Sequence, residues 1–113
     1  HWHPNAHELN YLISGSARIT LLSPNGKVDV FDMKRGDMSY LPRGYFHCIE
    51  NTGEEAARFA VYFNNANPSD IGFSACLGAY PNDVLASLFK LPVSYFEKLP
   101  KYQSDLFVVS GGG

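Results

Sequence analysis

Apolar and polar positions run along the first two-thirds of the chain in short stretches, broken repeatedly by Gly, Pro, Asn and Asp. Glu8 to Ile13 is a mixed apolar run closed by Ser14-Gly15. Ala17 to Leu22 is rich in strand formers and stops at Ser23-Pro24-Asn25-Gly26. Lys27 to Phe31 alternates, which puts Val28 and Val30 on one face of a strand. An Asn-Gly pair between two such runs predicts a tight hairpin. Arg35-Gly36-Asp37 reads as a turn, and Met38 to Leu41 as a strand cut by Pro42 and Gly44. Phe46 to Ile49 is the next strand, ending at Asn51-Thr52-Gly53, and Arg58 to Phe63 is the last clear one. Even spacing of short strands predicts an all-β barrel or sandwich.

Beyond Phe63 the pattern changes. Asn64 to Phe73 is polar and contains Pro68, as a loop would. Val84, Leu85, Leu88 and Phe89 recur at helical spacing, with Asn82 as a candidate N-cap and Leu91-Pro92 as the stop. Ser94 with Glu97 three residues on predicts a second short helix opened by a capping box, and Pro100 ends it. Leu106 to Val109 is expected to form a final strand. The whole reads as one β domain over residues 1–110 with a small helical C-terminal appendix, followed by a linker-like tail over 111–113.

Composition narrows the partners more than the fold. At 113 residues the chain has the length of one domain. Hydrophobic residues make up 45%, enough for one core, and charged residues only 18%, which argues against disorder. The net charge of −2 carries no basic surplus for nucleic acid or an anionic membrane surface. No apolar run approaches the ~18 residues of a spanning helix. Two Cys exclude a disulfide-dense scaffold and leave the compartment open.

The chemistry concentrates in two places. Three of the four His lie at positions 1, 3 and 7, with Glu8 next to the third. On a strand, His1 and His3 would point to the same side and offer two imidazoles to one ion, and Pro4-Asn5 would break the strand so that Glu8 can return to that side. The plainer reading is a run of surface histidines near a chain end. An amino-terminal His can also chelate copper through its amine and its ring. His47 follows the Pro42–Gly44 bend and can project inward from a separate strand, or pack as a core histidine. Cys48 should point away from His47 as a packed thiol, and Cys76 has no partner at a suggestive spacing.

Taken together, His1, His3, Glu8 and Gly15 stand in the pattern H-x-H-x4-E-x6-G. Gly36, Pro42, Gly44, His47 and Asn51 stand in the pattern G-x5-P-x-G-x2-H-x3-N. These two motifs, in this order, resemble those of the cupin superfamily. The stretches HWHPNAHELNYLISGSARIT and GDMSYLPRGYFHCIENTG are similar to the second domain of bicupin oxalate decarboxylases. The resemblance implies a jelly-roll β-barrel with His1, His3, Glu8 and His47 as metal ligands, Asn51 as a structural residue, and His7 outside the ligand set. It implies manganese, although such a mixed nitrogen and oxygen set also suits Fe, Co, Ni or Zn. It further implies a small carboxylate such as oxalate as ligand, and dimers, trimers or hexamers.

The same resemblance raises expectations that this sequence meets only in part. Oxalate decarboxylases use an arginine three residues before the first metal His, a position outside these 113 residues, so at least one further strand is expected upstream. Arg18 and Arg43 are the nearest cations in sequence, and both read as solvated charges. The family also uses a glutamate on a lid as proton donor, where this chain has Asp70. The leading expectation is a metal-dependent, oxalate decarboxylase-like enzyme. The alternatives are a cupin binding or storage module without turnover, such as the structural half of a bicupin, and an oxalate oxidase-type enzyme.

Overall fold

The computed structural model describes residues 1–101 and 107–111. Six strands form first: β1 (Glu8–Ser14), β2 (Ser16–Leu22), β3 (Val28–Lys34), β4 (Met38–Leu41), β5 (Phe46–Asn51) and β6 (Arg58–Phe63). They make two antiparallel three-stranded sheets, ordered β4-β1-β6 and β3-β2-β5. The sequence places all six, two of them with the same bounds. The β2–β3 hairpin turns at Asn25-Gly26, where Gly26 N–H donates to the Ser23 carbonyl at 2.9 Å and Ser23 N–H to the Lys27 carbonyl at 2.9 Å.

Alternation decides what each strand buries. Leu12 from β1, Ala17, Ile19 and Leu21 from β2, Met33 from β3 and Leu41 from β4 face one another in a single core between the sheets. Each large side chain so buried contributes about 1.5–3 kcal/mol of transfer free energy. Val28 and Val30 share a face as the alternation predicts, but it is the exposed one. The register along β1 shifts between Leu12 and Ser14, and the strand ends there at Gly15. Gly15 has φ +81°, and a Cβ on it would meet the Ala56 oxygen and Ala57 Cα at 2.9 Å. Only glycine fits both the left-handed backbone and that close approach.

Residues from Ile71 onward form a second compact unit. It holds α1 (Phe73–Ala79), α2 (Asn82–Phe89) and a 3₁₀ turn at Val93–Tyr95. Its small core joins Leu85, Ala86 and Phe96, with Leu77 and Leu99 packed against them. Several expectations change here. The expected loop runs from Asn64 only to Gly72, and α1, which the sequence pattern does not announce, begins at Phe73. Asn82 is the first helical residue rather than the cap: Pro81 takes the cap position, its fixed φ already suited to the helix start, and no side chain caps the end. Ser94 lies inside the 3₁₀ turn behind Pro92, so no capping box forms. Of the apolar stripe on α2, Leu85 is buried while Val84, Leu88 and Phe89 stay exposed. Phe107 to Val109 carry no strand, and Leu106 lies outside the described residues. Among the described residues no helix is long and apolar enough to cross a membrane.

Candidate metal centre

Main-chain pairing brings the first motif to the second. His47 N–H donates to the His1 carbonyl at 2.9 Å, and the His1 main-chain nitrogen donates to the His47 carbonyl at 3.0 Å. Gly44 N–H donates to the His3 carbonyl at 2.8 Å. Residues 1–3 therefore run beside residues 44–47. The Pro42–Gly44 bend supplies the amide that holds His3, with Gly44 at φ +79°. Glu8 opens β1 at an inward position, two residues before Asn10 and four before Leu12, all three buried. The His1 main-chain nitrogen is engaged by this pairing.

One potential ligand atom from each of His1, His3, Glu8 and His47 lies within 4.8 Å of the others. His3, Glu8 and His47 are buried and His1 is half-buried. The ring of His1 meets that of His47 edge-on at 4.5 Å between centroids and that of His3 at 5.0 Å. The rings have their outer nitrogens engaged. His3 Nδ1 lies 2.9 Å from the Ser69 carbonyl oxygen, and His47 Nδ1 lies 3.0 Å from the Tyr45 carbonyl oxygen. A carbonyl only accepts, so both rings carry their hydrogen on Nδ1. Their Nε2 atoms are then bare lone pairs when the rings are neutral.

Those lone pairs face a carboxylate. Glu8 Oε2 is 2.8 Å from His3 Nε2 and 3.4 Å from His47 Nε2. Glu8 Oε2 and His47 Nε2 are shut off from water and complete no aligned hydrogen bond. Burial pushes the Glu8 carboxyl up. The polar contacts of His47 and Asn10, then the charges available on His47 and His3, outweigh burial and hold it below its ordinary value. Acceptors turned toward one another at this range need a proton or a cation between them. Three imidazole nitrogens and one carboxylate are a donor set that divalent first-row ions accept.

The other candidates fall outside this cluster. His7 Nδ1 takes the Arg43 N–H at 3.0 Å and lies 2.7 Å from the Tyr40 hydroxyl, under a stacked Tyr40 ring. Arg18 pairs with Asp32 at 2.8 Å on the outer face of its sheet, a hydrogen bond that holds the Asp32 carboxyl below its ordinary value. Arg43 is exposed in a turn. Asn51 closes its turn, accepting from Gly53 N–H at 3.0 Å and donating to the Glu55 carbonyl at 2.9 Å. Cys48 does point away from the cluster, but it is exposed rather than packed. Cys76 is a free thiol. Asp70 does reach the cluster, with Oδ1 3.5 Å from His1 Nδ1. The residues that sequence reasoning missed are those behind the ligands, Tyr45 and Ser69. They act through main-chain carbonyls, which leave no mark in a motif.

An antiparallel barrel of this topology around a three-His, one-Glu cluster defines the cupin class. Residues 1–94 match the Cupin family, and the chain belongs to it. It is 33% identical over 101 residues to the oxalate decarboxylase OxdC of Bacillus subtilis, covering 89% of this chain and 26% of that protein. It is 28% identical over 100 residues to a probable germin-like protein of Arabidopsis thaliana, covering 88% and 47%. A solved structure of Bacillus subtilis oxalate decarboxylase with Mn(II) centres superposes with a TM-score of 0.82 at 31% identity, covering 91% of this chain and 27% of that one. The chain thus spans about a quarter of the length of the oxalate decarboxylases it matches.

Proposed function

We propose that His1, His3, Glu8 and His47 hold one divalent ion, manganese first among the candidates, in a cupin domain that takes a small carboxylate of the oxalate type. The observation that carries this is the set of bare nitrogens turned on the Glu8 carboxylate, 2.8 Å away at His3. A bound cation would supply Lewis acidity and a template for an anionic ligand. The chain's own residues do the rest. The Ser69 and Tyr45 carbonyls keep His3 and His47 in one tautomer, and the Phe63 ring packs edge-on against His3 at 4.8 Å between centroids.

Asp70 is the residue of this chain placed to act as a lid acid. Its contact with His1 favours a second reading, in which the domain binds the carboxylate with little or no turnover, as a binding module or the structural half of a longer bicupin. A carboxylate lying 3.5 Å from a ring nitrogen orients that ring and is less free to deliver a proton. Metal analysis with an oxalate assay that follows CO₂, formate and peroxide together separates the readings. Formate without peroxide supports a decarboxylase, peroxide an oxalate oxidase, and neither a binding module. The metal assignment has its own test. His47→Ala should lower manganese content well below wild type on elemental analysis, and unchanged occupancy would overturn it.

A further inference from the structure

We propose that Asn5 is a positioning residue for this centre: through Ser69 it sets which nitrogen of His3 carries the hydrogen. The proposal rests on reading His3 as a metal ligand. The Asn5 side chain grips the segment from Asn64 to Asp70 at two points. Its Oδ1 accepts from Ser69 N–H at 2.7 Å, and its Nδ2 donates to the Asn67 carbonyl at 3.1 Å. The segment returns the grip. Asn65 Nδ2 donates to the Asn5 carbonyl at 3.0 Å, and Asn64 Oδ1 accepts from His7 N–H at 2.8 Å. Asn65 Oδ1 also takes the Asn67 N–H at 2.9 Å, which stiffens the segment internally.

What this grip presents to the cluster is specific. The Ser69 carbonyl oxygen sits 2.9 Å from His3 Nδ1, and the next residue, Asp70, sits 3.5 Å from His1 Nδ1. One short segment supplies the outer partners of two imidazoles, and Asn5 holds it in place. A neutral imidazole without such a partner takes either tautomer. If Ser69 drifted, His3 would sample the form with its hydrogen on Nε2, where the metal bond must form. Asparagine suits the task because one side chain must accept from an amide and donate to a carbonyl at once.

The test uses the full chain with Asn5→Ala, Asn5→Leu and Asn5→Asp. Nitrogen-15 NMR of the His3 ring in metal-free protein, at a pH where imidazoles are neutral, reads the tautomer. Wild type should keep a hydrogen on His3 Nδ1 throughout, whether or not a second proton lies between Nε2 and Glu8, and Asn5→Ala should lose the Nδ1 hydrogen in part. Asn5→Asp keeps the acceptor for Ser69 N–H and should restore it. Manganese affinity should fall about 10- to 100-fold in Asn5→Ala and largely recover in Asn5→Asp. A folded Asn5→Ala or Asn5→Leu that keeps the Nδ1 hydrogen in full and wild-type affinity overturns the proposal. A wild-type chain that takes up no manganese overturns the metal reading instead, and the metal-free tautomer then decides the hold of Asn5 on His3 alone.

Discussion

His3 Nε2 and Glu8 Oε2 face each other 2.8 Å apart, both on buried side chains, and the hydrogen of the neutral His3 ring is on the far side, against Ser69. The contact sets two acceptors against each other, a carboxylate and an imidazole lone pair, with nothing of the protein's own between them when both are in their common neutral-pH forms. Most buried carboxylates are pushed toward protonation. Glu8 is held the other way, by the polar contacts of His47 and Asn10 and by the charge of His47 and His3 when those rings carry a second hydrogen.

That direction fixes how metal-free protein responds to acid. A carboxyl held below its ordinary value stabilises the fold fully above that value and loses the contribution as pH falls through the folded value. The metal-free chain should lose thermal stability as pH drops below 4.5, the ordinary value for Glu8. Subtracting the melting curve series of Glu8→Gln should remove part of this slope. Two parallel series would show that Glu8 is not held low.

Core and surface positions on neighbouring strands should separate cleanly. Leu12 is fully buried at the centre of the core cluster, and Leu12→Ala should cost about 2–5 kcal/mol in urea denaturation. Val30 lies on the exposed face of β3, and Val30→Ala should stay within about 0.5 kcal/mol. Equal losses would mean that the outer face of that sheet is covered in solution.

Oxalate should bind the metal-loaded chain with little formate released, by calorimetry beside a formate assay. Asp70 is one methylene shorter than a glutamate and already lies against His1. A well-placed general acid contributes about 10²–10⁴-fold, so Asp70→Glu should raise formate release if reach is the limit. Rapid release from the unmodified chain would make Asp70 itself the working acid.

Self-association is expected at micromolar concentration. Val84, Leu88 and Phe89 leave α2 with an uncovered apolar side, and Tyr11, Met38, Tyr40 and Tyr62 are exposed on the outer face of the β4-β1-β6 sheet. Light scattering should report an oligomer that Leu88→Glu weakens. A monomer would show that these surfaces stay open.

The barrel was legible where local chemistry and pairing agree. Met38–Leu41 and Arg58–Phe63 end where Pro42 and the asparagine run forbid further strand, and Asn25-Gly26 can do little but turn. The four clustered side chains were legible through the spacing of two motifs. The C-terminal unit was not. In α1, Phe73–Ala79, no charged residue marks a polar face, so its pattern has no helical period to read. Pro81 displaced Asn82 from the cap because a fixed φ competes well for that position. The Asn5–Ser69 connection was beyond reach, since it depends on where a loop puts a carbonyl.

The pairing of His1 with His47 also bears on the denatured chain. Three of the four clustered residues precede β2 and the fourth follows β4, so most of the barrel lies within the loop they close. An ion shared by them would act as a removable cross-link. The four ligands stand together only in the folded barrel, so the ion would bind that state and not the open chain, and would draw the equilibrium toward the fold by mass action. Melting temperature should then climb with the logarithm of free metal concentration, and a chelator should return it to a fixed floor. Metal supply would in that way set how much of the chain stands folded at a given temperature, whatever chemistry the site performs.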